Sequence, residues 1–443
     1  MTKRDPLKLP DLFSAVFALL FVYFLLTGRI NASLGALIGA AYSWACTRKE
    51  TPRIVLRRIA GAIDAYALNA VIILIVAGAL AGFGQQFARV DFGVFYSSAL
   101  IMRTCPENLY DLQFQADVLR QVSGIAEHHY LNYPYPPFVA LLFIPLTYFS
   151  FKTAYTIMLI CNLGLCALTV FLLANRLRYN KRQSEVFILC TAAALPVYAA
   201  LVLGHLSFVG MLLFSLVCVD WLDGRHVRVG LWTGLLGYKE SLLAVPLGFL
   251  VWRRKWRGVA AAFSVLGAMI ALSLELVGIQ GFMSNLNVLW VATSDSMLPR
   301  TQSMRALTYL LGLGEGGWMA LSLAMLSTLC WAFSRLRDER WGLAAMVVAA
   351  LSVSPYLQTY DLVIGLVPFA LAISTDSQIA ARTQKLYVLV AFVPVCLSIL
   401  SQTSGRPVPI VPISMAAGFC YCVFRAVGHP RNQIDQCAKP LGS

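Results

Sequence analysis

Long apolar runs, parted by short clusters of charge, fill most of this chain. The runs near the length of a membrane helix are Leu12–Thr27, Ile30–Cys46, Ala62–Phe87, Thr153–Asn175, Val186–Leu203, Leu206–Leu222, Val259–Val277, Trp318–Ser334, Trp341–Tyr356, Leu362–Ser374, Leu386–Gln402 and Val408–Phe424. A hydrocarbon core about 30 Å thick needs about 20 helical residues. Val229–Tyr238 and Ser241–Trp252 are shorter, about 15–18 Å at helical rise. They predict a hairpin that stops short of the far side or enters a water-filled dip, where irregular backbone is tolerated. The pattern as a whole predicts an all-α polytopic membrane protein with about 12–14 transmembrane helices.

Composition agrees with that pattern. Of 443 residues, 59% are hydrophobic and 13% charged; soluble domains carry about a quarter charged. Mean hydropathy is +0.71. The net charge of +14 would suggest nucleic acid in a soluble protein. Here the basic residues occupy loops between apolar runs, which is the signature of orientation and not of a nucleic-acid partner. Most cysteines lie inside apolar runs and no CxxC pair occurs, so neither a disulfide framework nor a metal site is expected. The opening "MTKRDPLKLP" leads into an apolar run without a cleavage site and reads as a retained signal-anchor.

With the N-terminus in the cytoplasm, alternation puts TRKETPRIVLRR, RLRYNKRQ, DGRHVR, RRKWR, RLRDER and the C-terminal tail inside. Most of the 35 Lys and Arg then fall on that side, as the positive-inside rule requires. The assignment needs "YPPFVALLFIPLTYFS" to be a re-entrant or juxtamembrane helix on the outer side, not a crossing. Pro136 and Pro137 suit its start, because the first turn needs no N–H from them. Three regions follow: 1–61, a transmembrane hairpin with a basic cytoplasmic loop; 62–374, a membrane core with long outer loops at 88–152 and 278–317; and 375–443, a C-terminal pair of spans and a cytoplasmic tail.

This topology gathers acids on the outer face. Asp91 starts the first long outer loop, in "RVDFGVFYSSALIM". It is either a solvated or capping acid or a general base at the lipid–water boundary, its pKa set by a partly dry site. Lys239 and Glu240 sit at the tip of the short hairpin, where ionisable groups are costly and suggest function; the Lys is a candidate grip on phosphate. His205 lies in another outer turn and would pair with phosphate if protonated. Arg300 and Arg305 in the second outer loop are further phosphate candidates. Tyr96, Tyr135, Glu240, Tyr360 and Asp361 are candidate substrate-binding residues, although Trp and Tyr at this level also serve as interfacial belts. His128 and His129 lack a third ligand at metal spacing.

Five stretches share an order and spacing: "DFGVFYSSA…NLYD" (91–111), "YPYPPFVALLFIPLTYF" (133–149), "GHLSFVGMLLFSL" (204–216), "GLWTGLLGYKESLLAVPLGFLVWRRKWRG" (230–258) and "SPYLQTYDL" (354–362). On these the chain resembles the bacterial polyprenol-phosphate-mannose-dependent mannosyltransferases, glycosyltransferase family eighty-seven, of the membrane "C" superfamily. The resemblance implies a glycosyltransferase C fold over about 62–374. It implies a polyprenyl-phosphate sugar donor, with mannose or another hexose transferred, and inversion at the anomeric carbon. It implies an envelope glycan or glycolipid acceptor, membrane lipids as surroundings, and an active site on the outer face of the plasma membrane. Asp91 matches the position of the family's base. No cofactor and no metal are expected beyond the lipid-linked donor. The sequence departs from the family pattern at His205, where an amide is usual, and at Glu240, where an uncharged residue is usual.

One rival class is a lipid or small-molecule transporter or flippase. It would show internal repeats and ionisable residues deep in its spans. No repeat is visible, and Glu275, the deepest such acid, lies near a helix end.

Overall fold

The computed structural model describes residues 91–123, 132–292, 301–375 and 410–428. These residues lie within one compact unit, 85–443, and they contain helices and no strand. The expected spans Leu12–Thr27, Ile30–Cys46, Ala62–Phe87 and Leu386–Gln402 lie outside the described residues, as do His128, His129 and Arg300.

Numbering starts at the first described helix. The described residues of the first long loop, expected on the outer side, are largely helical: α1 (Asp91–Thr104), α2 (Leu112–Ser123) and α3 (Pro137–Phe143), the last running into a 3-10 turn at Ile144–Tyr148. The α3 segment begins on the Pro136–Pro137 pair and leaves Leu142, Tyr148 and Phe149 exposed. That is a short helix with one apolar side uncovered, the form expected of a juxtamembrane element. Next come α4 (Phe151–Arg176), α5 (Lys181–Ala193), α6 (Leu195–Leu203) and α7 (Ser207–Leu222). The run expected as one span at Val186–Leu203 is a bent pair, α5 and α6 meeting at 53°. Pro196 in the first turn of α6 is the cause: it withholds an N–H and disfavours helix just before it.

The short hairpin consists of α8 (His226–Leu235) and α9 (Ala244–Trp252), with 3-10 turns at Leu236–Tyr238 and Glu240–Leu242. Lys239 lies between those turns in extended backbone. Helix α10 (Trp256–Ala292) is broken at Gly278, where φ 66° and ψ 179° leave helical geometry; the chain kinks there, just past the expected span Val259–Val277, and a second helical stretch follows where a loop was expected. It is followed by α11 (Met304–Leu310), α12 (Gly314–Ser334), α13 (Glu339–Val353), a 3-10 segment Thr359–Gly365, α14 (Leu366–Ile373) and α15 (Ile410–Val427). Of the connection expected over 278–317, the described residues are largely helical: a second stretch of α10 after Gly278, then α11 and the start of α12.

Among the described residues four helices are long and apolar enough to cross a membrane, or five if the bent pair is one span. α4, α10 and α12 turn apolar side chains such as Phe171, Phe263 and Leu323 outward, while α7 and α13 are buried on nearly every side. Helices that turn apolar side chains outward around a packed, partly polar interior are the arrangement of a membrane bundle. Backbones approach closely where α8 crosses α10. A Cβ on Gly230 would fall 2.0 Å from the carbonyl oxygen of Gly258, so the crossing requires glycine there.

Candidate active site

The site is assembled from residues far apart in the chain, and small residues bring their backbones together. Helix α6 ends on Gly204 at φ 63°, a left-handed conformation that glycine adopts without strain. A side chain there would also strike Phe92, 2.9 Å from its Cβ. Helix α1 therefore lies directly over the turn that carries His205. Phe95 on α1 meets the His205 ring at 5.6 Å and the Tyr135 ring at 5.1 Å. Asp91 is four residues before Phe95, hence on the same face of the helix, and points the same way. On the other side Gly210 admits Tyr238 and Ile364; a Cβ there would be 2.8 Å from the Tyr238 hydroxyl. That contact draws the Lys239 turn and the Thr359–Gly365 segment onto α7.

The centre is an ion pair. Lys239 Nζ lies 2.6 Å from Asp361 Oδ2, and both side chains are buried. The Gln358 backbone N–H donates to the same carboxylate oxygen at 3.1 Å. Ser207 Oγ donates to the other oxygen at 3.0 Å. Ser207 Oγ is in turn 2.8 Å from His205 Nδ1, and His205 Nε2 is 2.8 Å from the Tyr135 hydroxyl. Tyr360 stacks on the His205 ring at 3.7 Å. The ammonium of Lys239 stands 5.7 Å from the Tyr356 and Tyr360 ring centres, within the range of cation–π attraction. Tyr356 donates a hydrogen bond to Glu240. Asn162 on α4 holds the His205 carbonyl at 3.1 Å.

Asp91 borders this cluster and remains partly exposed. Burial among its neighbours raises its pKa, the Asp361 charge raises it further, and Lys239 pulls it back, leaving it at about 7. A carboxyl with that pKa exists in both protonation states near neutrality, which suits a general base. His205 is pushed the opposite way, to about 3, first by burial and then by the Lys239 charge.

The structure bears on two expected roles. His205 was expected to meet phosphate as a cation; a buried, neutral ring with both nitrogens in hydrogen bonds does not do so. Lys239 was expected to grip phosphate as a point charge; the structure shows its ammonium paired with Asp361 at 2.6 Å. Asp91, Tyr135, His205, Lys239, Glu240, Tyr360 and Asp361 come together. Tyr96 does not join them: its hydroxyl donates to the Phe149 carbonyl at 2.8 Å and its ring packs on Phe151, tying α1 to the end of the juxtamembrane element. Arg305 is paired with Glu315, at 2.6 Å from Nε, and lies over Trp318. Ser207, Tyr356 and Gln358 belong to the cluster without having been singled out in the sequence. Ser207 and Tyr356 lie within the stretches "GHLSFVGMLLFSL" and "SPYLQTYDL", so position was the only signal available for them.

No curated protein and no solved structure matches the chain. A family model does, and its match takes in Tyr135, His205, Ser207, Lys239 and Glu240, while Asp91 and the 356–361 stretch lie beyond its ends. The matching model is glycosyltransferase family 87, over residues 133–355; this is half of the chain, and the chain belongs to that family.

Proposed function

We propose that this membrane glycosyltransferase moves a hexose, with mannose the first candidate, from a polyprenyl-phosphate donor to a hydroxyl of an envelope glycan or glycolipid. The transfer takes place on the outer face of the plasma membrane, with both chain termini in the cytoplasm and with inversion at the anomeric carbon. Asp91 takes the proton of the acceptor hydroxyl as that oxygen attacks the anomeric carbon. The bond from that carbon to the phosphate oxygen breaks, and polyprenyl phosphate leaves with the bonding electrons. A phosphate leaving group needs little protonation, so one carboxylate suffices where a glycosidase uses two. The Lys239–Asp361 pair acts as a unit: the ammonium sits where charge develops on the phosphate, and the carboxylate holds it in place. No cofactor enters this scheme.

The observation that carries the reading is Asp91 itself, a partly exposed carboxyl with a pKa of about 7 beside a buried ion pair. The placement of charge supports the outer face. Ser207 at one end of α7 belongs to the site. Toward the other end of this 16-residue helix, about 20 Å away at helical rise, Asp220 is surrounded by Arg176, Arg225 and Arg228. Such a basic cluster supports a cytoplasmic position for that end.

The test is transfer from radiolabelled polyprenyl-phosphate-mannose to an envelope extract by protein in lipid nanodiscs, wild type against Asp91→Asn. Transfer by wild type and near-complete loss in the folded variant is expected. Equal transfer by both removes Asp91 from the mechanism.

A further inference from the structure

The hydrogen-bond chain that ends on Asp361 has a direction, and that direction can be deduced atom by atom. Asp361 only accepts, being paired with Lys239 at 2.6 Å. Ser207 has one proton and spends it on Asp361 Oδ1. The 2.8 Å contact between Ser207 Oγ and His205 Nδ1 therefore needs its proton from Nδ1. A neutral imidazole protonated there carries a bare lone pair on Nε2. Tyr135 Oη, 2.8 Å from Nε2, must donate to it. The chain thus runs from the Tyr135 hydroxyl through His205 and Ser207 to the carboxylate. Burial and the Lys239 charge keep the ring neutral, which this assignment requires.

Tyr135 is left in an unusual state for a phenol. Its proton is committed, its lone pairs are not, and among the described residues its hydroxyl oxygen has no second hydrogen-bond partner. It retains 9% exposure. The ring is not free to swing: Tyr110 and Asn285 hold the Tyr135 carbonyl at 2.7 and 3.2 Å, and Phe95 packs against the ring. A fixed oxygen that only accepts is a reader of hydroxyl groups.

We propose that Tyr135 is a specificity-determining residue that accepts a hydrogen bond from a hydroxyl of the transferred sugar, and that Ser207 is a positioning residue that imposes this polarity through His205. The sugar half of the inference rests on the glycosyl-transfer reading; the polarity half does not. Replacement of the recognised hydroxyl by fluorine removes the donor and is rejected by a site that only accepts. Loss of Ser207 frees the ring to carry its proton on Nε2, which turns the Tyr135 proton outward and relaxes the selection.

Two measurements on the full chain in nanodiscs separate the halves. In protein labelled with ¹⁵N-histidine, the His205 signal is assigned by its loss in His205→Asn. Wild type is expected to show the Nδ1–H tautomer and Ser207→Ala a shift toward Nε2–H. An Nε2–H ring in wild type, or no change in Ser207→Ala, overturns the polarity. Competition binding then uses polyprenyl-phosphate-mannose and its monofluorinated analogues, substituted away from the anomeric carbon and its neighbour. One analogue is expected to bind about tenfold more weakly than the parent, the loss of about 1.4 kcal/mol. That ratio is expected to collapse in Tyr135→Phe and to narrow in Ser207→Ala. Equal binding of all analogues to wild type overturns the role of Tyr135. If the parent compound itself fails to bind, the donor reading falls and takes the sugar half with it, while the tautomer result still stands or falls alone.

Discussion

Lys239 Nζ and Asp361 Oδ2 are 2.6 Å apart, and their side chains are 3% and 1% exposed. Each is the other's counter-charge in a place that water does not reach. Taking two charges out of water is costly, and their attraction with the added hydrogen bonds offsets that cost only while both are present. Ser207 and the Gln358 N–H supply those added bonds on the carboxylate.

Neutralising one partner alone is therefore the damaging change. Lys239→Met and Asp361→Asn are each expected to cost about 3–5 kcal/mol, because each strands a buried charge or its unpaired partner. The double variant is expected to be destabilised by clearly less than the sum. Unfolding of the four proteins of the cycle in one detergent would measure the coupling. Additive losses would mean that the two groups do not act as a pair.

The coupling extends to Asp91 and sets a pH dependence. Burial and the Asp361 charge raise the Asp91 carboxyl to about 7, so below that pH it is protonated and unable to accept a proton. Transfer is expected to rise with pH along a single limb centred near 7. Removing the Asp361 charge takes away a cause that raises the pKa and leaves the Lys239 charge that lowers it. The limb in Asp361→Asn is expected to move to lower pH. A limb that stays in place, measured as transfer rate against pH, would show that Asp361 does not act on the base.

The same carboxyl makes an unusual stability prediction. Its folded pKa lies above its unfolded one, so the fold favours the protonated form. Below about 4 both states are protonated and there is no penalty. As pH rises from about 4 to 7 the penalty for charging Asp91 in the fold grows, and above 7 it is complete. Asp91→Asn is expected to abolish transfer yet leave stability unchanged or raised by ~1 kcal/mol at pH 8, a figure reduced for partial exposure. Thermal unfolding of wild type and variant at pH 4 and pH 8 would check it. A variant less stable than wild type at pH 8 would indicate a structural role for the residue.

Much of this site was legible in the sequence because its members mark themselves. Asp91, Lys239 and Asp361 are charges beside apolar runs, which are rare enough to notice, and Tyr135 and His205 lie in stretches that the family match covers. Their pairing was not legible. Lys239 and Asp361 are 122 residues apart, and nothing local tells a lysine that a buried carboxylate will hold its ammonium. Ser207 was passed over for a related reason. A serine at the start of an apolar helix is ordinary, and its importance comes from Asp361, 154 residues away. Tyr96 shows the converse error: an aromatic just behind the base looked like part of the sugar site, yet its hydroxyl is used to hold Phe149. In the fold, the bend between α5 and α6 follows from Pro196, and the kink within α10 falls on Gly278, the glycine that ends the apolar run Val259–Val277.

A last prediction separates the placement of the base from its chemistry. Gly204 combines a φ of 63° with a predicted Cβ contact of 2.9 Å to Phe92, the residue next to Asp91. Gly204→Ala is expected to cost about 1–2 kcal/mol for the left-handed backbone. Relief of the contact also pushes α1 away from the turn, carrying Asp91 with it. The rate of transfer is expected to fall by more than tenfold, while the pH limb of the residual activity shifts toward an ordinary carboxylate as Asp91 leaves its buried neighbours. Gly267→Ala is the matched control: that glycine is in α10 with nothing within 4 Å of an added Cβ, so the change is expected to be neutral or to stabilise the helix by about 0.5–1 kcal/mol. Transfer and unfolding measured on both variants decide the point. If Gly204→Ala lowers stability but keeps both the rate and the pH limb of wild type, Asp91 does not depend on that contact for its position.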